Sequence, residues 1–509
     1  MPQHSNKPRP GALRRIFSSS SSRRMSSEEL QATPRMAQNP AQVQAAMLTG
    51  ADKLAAVTSL IDRLSQDLTD VNLLPHQRDA ALEELKIFGR DPRNSDPIFT
   101  KKGIETLTRH SFDSPSSTTS RNALRCLCNA LLLNQDARQT FVDLGYEAKA
   151  CSKLKNDSRD NEFLVSRILF LITYGTNADL VELIEKHHLA DCIAKNLERH
   201  AKNHLAGRPT DPMEDMALTE TLKLLFNITH WCKDRTSSFT QTVPHIATLL
   251  CKGSFQPQPE KPLDAPIGHL VNALLNLDLG AKEIHTSLYP QAEPKEVAER
   301  LIQLLDQSRG AYKNEDLESS VTPLLGVIRA IHEYAPEDVR TYIREKLLPT
   351  EADRNEVLGR TDSLPSWLLQ NSTNPVTPEL RNTISDLLFD MSDKDASKFV
   401  ENVGYGFASG FLFSRNIPVP QNASEAFSNV PGGANRAINP VTGQFLDSER
   451  QPEEPEMTEA EKEREAERLF VLFERLRANG IISAENPVRT AVQEGRFEEL
   501  PDDYEEGKD

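Results

Sequence analysis

The stretch "VGYGFASGFLFSRN" (403–416) sets Gly404, Gly406 and Gly410 close together, and glycine-rich loops are where many chains cradle phosphate. The dinucleotide fingerprint needs G-x-G-x-x-G between a strand and a helix, so that backbone N–H groups face a pyrophosphate. Here the last interval is one residue too long, and the preceding "DASKFVEN" is charged and helical in pattern. A nucleotide loop is not expected. Cys126-Leu127-Cys128 lacks a second pair at metal-ligand spacing, so no zinc site is expected either. His200 and His204 stand four apart, but Ala201 occupies the place where a metalloprotease carries its glutamate, and a solvated helix face is the expectation. Asn227-Ile228-Thr229 is formally a glycosylation sequon, set in a helix that reads as buried. There is no P-loop, no Ser/His/Asp arrangement and no nucleophile elbow, and the acidic pairs fall on helix positions where solvated charge is the default. An enzyme with its own active site is the least supported class.

Composition bounds what else the chain can be. Hydrophobic residues make up 38% and aromatics 6% of 509 residues, with a mean hydropathy of -0.51. Leu, Ala, Glu, Arg and Lys dominate, all good helix formers, and residues favoured in sheets are few. No apolar run approaches the roughly 20 residues of a membrane span. The six cysteines lie in apolar helical stretches and read as reduced core thiols of a cytoplasmic protein. The net charge of -16 is uneven: from Asp447 onward there are 20 acids and 9 bases. Such a surface repels nucleic-acid phosphates and suits a basic partner or solubility.

The elements are helices that recur. "LRCLCNALLLN" (124–134), "LKLLFNITHWC" (222–232) and "GHLVNALLNLDLG" (268–280) share a Leu-x-x-Leu-x-Asn frame or a close variant, and "SRILFLITYGT", "TPLLGVIRAIHEY" and "LRNTISDLLFDM" keep its apolar part. The anchors Asn129, Thr173, Asn227, Asn276, Ala330 and Phe389 lie 44 to 59 residues apart. With inserted polar loops, that spacing fits armadillo or HEAT units of about 40–47 residues. The fold expected is all-α, an armadillo/HEAT-like solenoid over 45–415. Before it, 1–44 reads as a disordered basic, Ser-rich segment, with a transit peptide or an anchor to anionic lipid as alternatives. After it come an irregular linker (416–456), an amphipathic helix (457–480) with a capping box at Thr458 and Glu461, and an acidic disordered tail (481–509). The asparagines near the helix ends admit two readings: lining a groove for a guest segment, or bonding neighbouring helix ends.

Several of these stretches, in order and spacing, resemble the synembryn family (resistance to inhibitors of cholinesterase), fungal type. They are "LRCLCN" (124–129), "LKLLFNIT" (222–229), "VGYGFASGFLFSRN", "INPVTGQ" (438–444) and "MTEAEKEREAERLFVLFERL" (457–476), and the likeness covers roughly residues 50 to 485. The resemblance implies a non-receptor guanine nucleotide exchange factor and folding chaperone for G-protein α subunits. It implies a monomer that engages both GDP-bound and nucleotide-free Gα and holds no nucleotide or cofactor. Its place is cytoplasmic, with recruitment to the inner face of the plasma membrane. In the family the concave face holds the C-terminal helix of Gα and the distal helix reaches the switch region. Carried over, the groove residues are Lys86, Arg90, Asn129, Asn227, Asn272 and Asn276, and Leu469, Phe470 and Phe473 lie on the distal helix. Lys86 stands where relatives carry arginine, and lysine has no planar fork. The acidic Ser/Thr cluster of animal members is replaced by "PVPQNASEAFSNVPGG". Gly404, Tyr405, Gly406 and Gly410 are then turn and packing devices, with Tyr405 and Phe407 docking the outgoing chain. The rival class is a passive armadillo adaptor for extended peptides; such grooves use many tryptophans, and this chain has only Trp231 and Trp367.

Overall fold

The computed structural model describes residues 48–207, 211–255, 260–418, 438–439 and 441–449, together with Arg464, Arg468, Phe470 and Val471. Two compact units divide the chain, Met1–Leu446 and Asp447–Asp509. In the first, the principal helices are α1 (Gly50–Asp70), α2 (Pro75–Phe88), α3 (Lys101–Phe112), α4 (Ser117–Leu133) and α5 (Arg159–Ile172). They continue as α6 (Leu189–Leu205), α7 (Pro212–Trp231), α8 (Val243–Lys252), α9 (Ile267–Leu275) and α10 (Glu296–Ser308). The last are α11 (Asn314–Tyr334), α12 (Glu337–Leu347), α13 (Pro378–Met391), α14 (Ala396–Val403) and α15 (Tyr405–Ser414). Shorter helical turns connect them. Among the described residues, β pairing is a single antiparallel bridge between Ile438 and Phe445, and no helix is long and apolar enough to cross a membrane.

Local signals set the helix ends. The Ser116 hydroxyl accepts from Thr119 N to start α4, and the Asp211 carboxylate accepts from Met213 N to start α7, with Pro212 at the first position. Helices α2, α4, α5, α7, α9, α11 and α13 pack in succession, each on the next. Helices α3, α6, α8, α10 and α12 form a second row against them. One apolar core runs from Val57 to Leu412. This is the two-row solenoid that the repeat spacing predicts, because no single unit can bury its own stripe.

The distal unit is described at residues 447–449 and at four further residues. Arg464, Arg468, Phe470 and Val471 are helical, and Phe470 is half-buried. Leu469 and Phe473 lie outside the described residues, as do 1–44 and the acidic tail.

One expectation fails. His200 and His204 are not on a solvated face: both are buried on the inward stripe of α6 that also carries Ile193, Asn196 and Leu197. Histidine counts as polar in a hydropathy pattern, yet an apolar ring with a paired nitrogen fits a core. His200 Nε2 lies 2.9 Å from Glu162 Oε1 on α5, and Nδ1 lies 2.8 Å from Glu214 Oε1 on α7, close enough for an ion pair though off the line of a hydrogen bond. Arg199 also meets Glu162, and Arg159 meets Glu214 at 2.7 Å. Around them, the Thr221 hydroxyl donates to Glu162 and Asp215 and His204 stand nearby. Burial works against a charged ring here, but the two carboxylates outweigh it and carry the His200 imidazole up to about 9. The same contact, opposed by burial, holds Glu214 down at about 2.

The sign of the linkage follows. His200 contributes stability that is complete below its unfolded value of 6.5 and is lost as pH rises through about 9. Glu214 contributes stability present above 4.5 and lost as pH falls toward about 2. The melting temperature is expected to peak between those unfolded values and to fall on both sides. His200→Ala strands two buried carboxylates and is expected to lose about 3–5 kcal/mol and the alkaline limb of the profile, as followed by thermal melts from pH 4 to 10.

Candidate functional site

The C-terminal ends of the ladder helices bring the frame residues to one edge. Asn129 is in the last turn of α4, Thr173 just follows α5, Asn227 is in the last turn of α7, and Asn276 just follows α9. Residues four apart share a helix face, which sets Arg125 beside Asn129, Lys223 beside Asn227, and Asn272 beside Asn276.

The asparagines divide into two kinds. Asn227, 3% exposed, spends both ends of its amide on the neighbouring repeat: Nδ2 donates to Thr173 Oγ1 at 2.8 Å, and Oδ1 accepts from the Tyr174 hydroxyl at 3.2 Å. Asn276 Nδ2 donates to the Phe226 carbonyl at 3.1 Å, tying α9 to α7. These two are cross-braces. Asn129 and Asn272 are half-buried, and among the described residues neither side chain makes a hydrogen bond. A half-buried amide with unspent donors and acceptor is an available contact for a guest.

Charge is arranged along the same helices. Lys86, half-buried near the end of α2, lies 3.5 Å from Glu83, and Arg90 is exposed in the turn beyond. Arg121 and Arg125 on α4 meet Asp160 on α5 at 3.0 and 3.1 Å. Arg167 on α5 meets Glu220 on α7 at 3.0 Å, and Lys223 shares that carboxylate at 3.1 Å. Burial opposes the Glu220 charge, but these two cations lower its pKa below the usual range. Arg125 and Lys223 were not among the groove residues read from the sequence. The signal was present, since "LRCLCN" and "LKLLFN" both set a base four residues before the Asn.

The site offers no covalent chemistry. All six cysteines are free, and burial pushes the Cys126 and Cys128 thiols up to about 12. Among the described residues, no group of three His, Cys, Asp or Glu side chains could hold a metal ion.

The glycine-rich stretch has a definite geometry. Gly404 joins α14 to α15 at φ +81°, a conformation open to glycine, and it supplies no side-chain cap to α15. Gly406 N, an unsatisfied donor of that first turn, instead donates to the Val441 carbonyl at 3.3 Å. A Cβ on Gly406 would stand 3.3 Å from the same carbonyl, whereas one on Gly410 would meet open space. Tyr405 is 37% exposed. Phe407 packs on Gly359, where an added Cβ would come within 3.0 Å of its ring. So "VGYGFASG" receives "INPVTGQ", and the chain that leaves after Ile417 is back on the solenoid at Ile438.

Comparison with known proteins identifies the family. Residues 81–496 match the family described as guanine nucleotide exchange factor synembryn. A synembryn-like chaperone of Schizosaccharomyces pombe is 26% identical over 390 residues, covering 71% of each chain. Chaperone Ric-8A of Xenopus tropicalis is 26% identical over 481 residues, covering 84% of this chain and 86% of that one. Among solved structures, a designed armadillo repeat protein aligns with a TM-score of 0.38 and 14% identity over 53% of this chain and 99% of its own. With a family match that spans most of its length and includes the helix ladder, the "GYG" joint and the "INPVTGQ" return, this chain belongs to the synembryn family of guanine nucleotide exchange factors.

Proposed function

We propose that the protein is a non-receptor exchange factor and folding chaperone for a G-protein α subunit, and that it grips the C-terminal helix of Gα along the ladder helices. The observation that carries this is the pair of half-buried amides, Asn129 and Asn272, whose hydrogen-bonding capacity is unspent among the described residues, with exposed Arg90 at one end of the row. Family membership supplies the partner class. Lys86, Arg125 and Lys223 border the same surface, and their ion pairs to Glu83, Asp160 and Glu220 can be exchanged for contacts with a guest. Asn227 and Asn276 hold the repeats that present it.

An exchange factor works by preferring the opened, empty GTPase; equal affinity for both states shifts nothing. Holding the Gα C-terminal helix away from the base-binding loops gives such a preference, and binding an incompletely folded Gα by the same helix accounts for a chaperone role. The distal helix, through Leu469, Phe470 and Phe473, is the second contact and reaches the switch region. The site of action is cytoplasmic, with recruitment to the inner face of the plasma membrane. The adaptor reading loses ground because Trp367 packs against the core, which leaves Trp231, 51% exposed, as the sole tryptophan available to form a slot.

Release of labelled GDP from a Gi-like Gα is expected to accelerate on adding the protein, with a stable nucleotide-free complex on gel filtration. An unchanged rate with no complex refutes the exchange role, and an unchanged yield of folded Gα in a synthesis assay refutes the chaperone role.

The asparagines supply a sharper test. Asn129→Ala and Asn272→Ala are expected to weaken binding of a Gα C-terminal peptide by about 0.5–1.5 kcal/mol each, with melting temperature nearly unchanged. Asn227→Ala is expected to cost roughly 1–3 kcal/mol of stability, because it removes two cross-repeat hydrogen bonds, to Thr173 and from Tyr174. Loss of stability in the first two without loss of affinity rejects their place in the groove.

A further inference from the structure

Residues 438–446 lie on the C-terminal end of the solenoid as a strap, and its contacts converge on one side chain. Arg354, 8% exposed, sits in the 3-10 turn Asp353–Asn355, in the connection between α12 and α13. Its Nη1 donates to the Gly443 carbonyl at 2.9 Å. Its Nη2 donates to the carbonyls of Glu401 and Asn402, at 2.8 and 3.1 Å, in the last turn of α14. One guanidinium therefore binds the strap and a helix C-terminus together, where a cation also suits the helix dipole. Lysine could not span three carbonyls in this planar fan.

The backbone continues the junction. Phe445 N donates to the Arg354 carbonyl at 2.8 Å, Leu358 N to Thr442 O at 3.3 Å, and Gly406 N to Val441 O at 3.3 Å. The Gln444 amide donates to Asn355 O at 3.1 Å. Phe445 and Leu358 are buried beneath, and a Cβ on Gly443 would fall 2.3 Å from Leu358 Cδ1. Two residues pre-shape the two halves. Asn439 Oδ1 accepts from Val441 N at 2.9 Å and Thr442 N at 3.3 Å, which folds the strap's turn. Asp353, beside Arg354, accepts from Thr350 N at 2.9 Å and from Thr361 Oγ1 at 2.9 Å, which fixes the receiving loop. None of these groups belongs to the partner surface described above.

The cost of burying a guanidinium is offset here by three carbonyls in fixed positions, with the Glu401 and Asp353 charges nearby, so this arrangement favours one docked position for the strap. We propose that Arg354 is a positioning residue for the exchange reaction: it clamps 438–446 so that the C-terminal unit starts from a fixed point on the solenoid. This rests on the function proposed above, in which that unit supplies a second contact to Gα. With the strap docked, about 10 residues separate Leu446 from residue 457, where the sequence predicts the distal helix to begin. Undocked, the tether would run from residue 418, close to fourfold longer. Effective concentration falls roughly as the −3/2 power of tether length, so releasing the clamp lowers it on the order of 5- to 10-fold.

The test uses the full chain as wild type, Arg354→Ala, Arg354→Lys and Asn439→Ala; the last opens the strap from its own side without emptying the clamp, and serves if Arg354→Ala does not fold. Hydrogen exchange at the amides of Leu358, Gly443 and Phe445, affinity for a Gα C-terminal peptide, and GDP release from Gα are measured on each. Arg354→Ala and Asn439→Ala are expected to lose amide protection, keep peptide affinity within about twofold, and slow GDP release at subsaturating protein about 5- to 10-fold; Arg354→Lys falls between. A chain ending at Leu446 should be as slow or slower, and Arg354→Ala within it should change nothing further. Full acceleration by a variant whose strap has lost protection overturns the proposal. So does a parallel fall in peptide affinity, the mark of a merely structural role. If wild type itself does not accelerate release, the exchange reading fails and the clamp's role falls with it; if wild type accelerates and the loosened variants match it, only the clamp proposal fails.

Discussion

Helix α7 is buried over most of its surface. Ala217, Leu218, Leu222, Leu224, Leu225, Phe226 and Ile228 are all buried, as are Glu220 and Asn227, and such a helix needs neighbours on most of its faces. It is covered by α5 before it, α9 after it and α6 beside it. The same need, passed from each ladder helix to the next, makes the first unit a single core that no repeat could form alone. Some buried polar groups bond within their own helix, as Thr229 and Ser308 do, and others need a partner from the neighbouring repeat. Hence the pairings that cross repeats: Ser166 with Thr221, Asn227 with Thr173, and Glu162 with His200.

That constraint also sorts the edge residues. Where a ladder position comes within reach of the preceding repeat's end, its amide becomes a brace, as at Asn227 and Asn276. At Asn129 and Asn272, one residue type in the same frame remains available. The ion pairs follow the same logic. They run from one ladder helix to the next: Arg125 to Asp160 is part-exposed and worth little to stability, whereas Arg167 ends on the buried carboxylate of Glu220, which Lys223 also holds. Groups that contribute little to the fold can be re-paired at low cost.

The solenoid was legible because its signal is local and repeated. Leucine and asparagine at fixed spacing recur in several helices, and each recurrence points to the same architecture. What was not legible depends on partners elsewhere in the chain, from about 14 to about 90 residues away. Nothing local distinguishes Asn227 from Asn129; the difference is Thr173 and Tyr174 on another helix. His200 read as a surface residue because the two glutamates that hold it, Glu162 and Glu214, belong to α5 and α7. "INPVTGQ" was recognisable as a motif, but its docking on Arg354, 89 residues earlier than Gly443, left no trace in spacing or hydropathy. The linker therefore read as irregular chain leaving the fold, where part of it returns.

The glycines illustrate how one composition serves opposite ends. In a phosphate loop, glycine lets backbone N–H groups converge on an anion. In "VGYGFASG" it lets a carbonyl do the converging: Val441 O caps the first turn of α15 at Gly406, and the positive φ of Gly404 turns the chain to allow it. Arg354 does the reverse on the other side of the strap, offering N–H groups to the carbonyls that end α14. A helix start and a helix end, both short of intrahelical partners, are thus completed by the returning segment and by the arginine that holds it. The aromatic contacts among Phe389, Phe399 and Phe411, with ring centroids 5.4 to 5.6 Å apart, join α13, α14 and α15 behind this junction. The last helices of a repeat array have no following repeat to cover them, and here the covering is a strap whose hydrogen bonds fix its place.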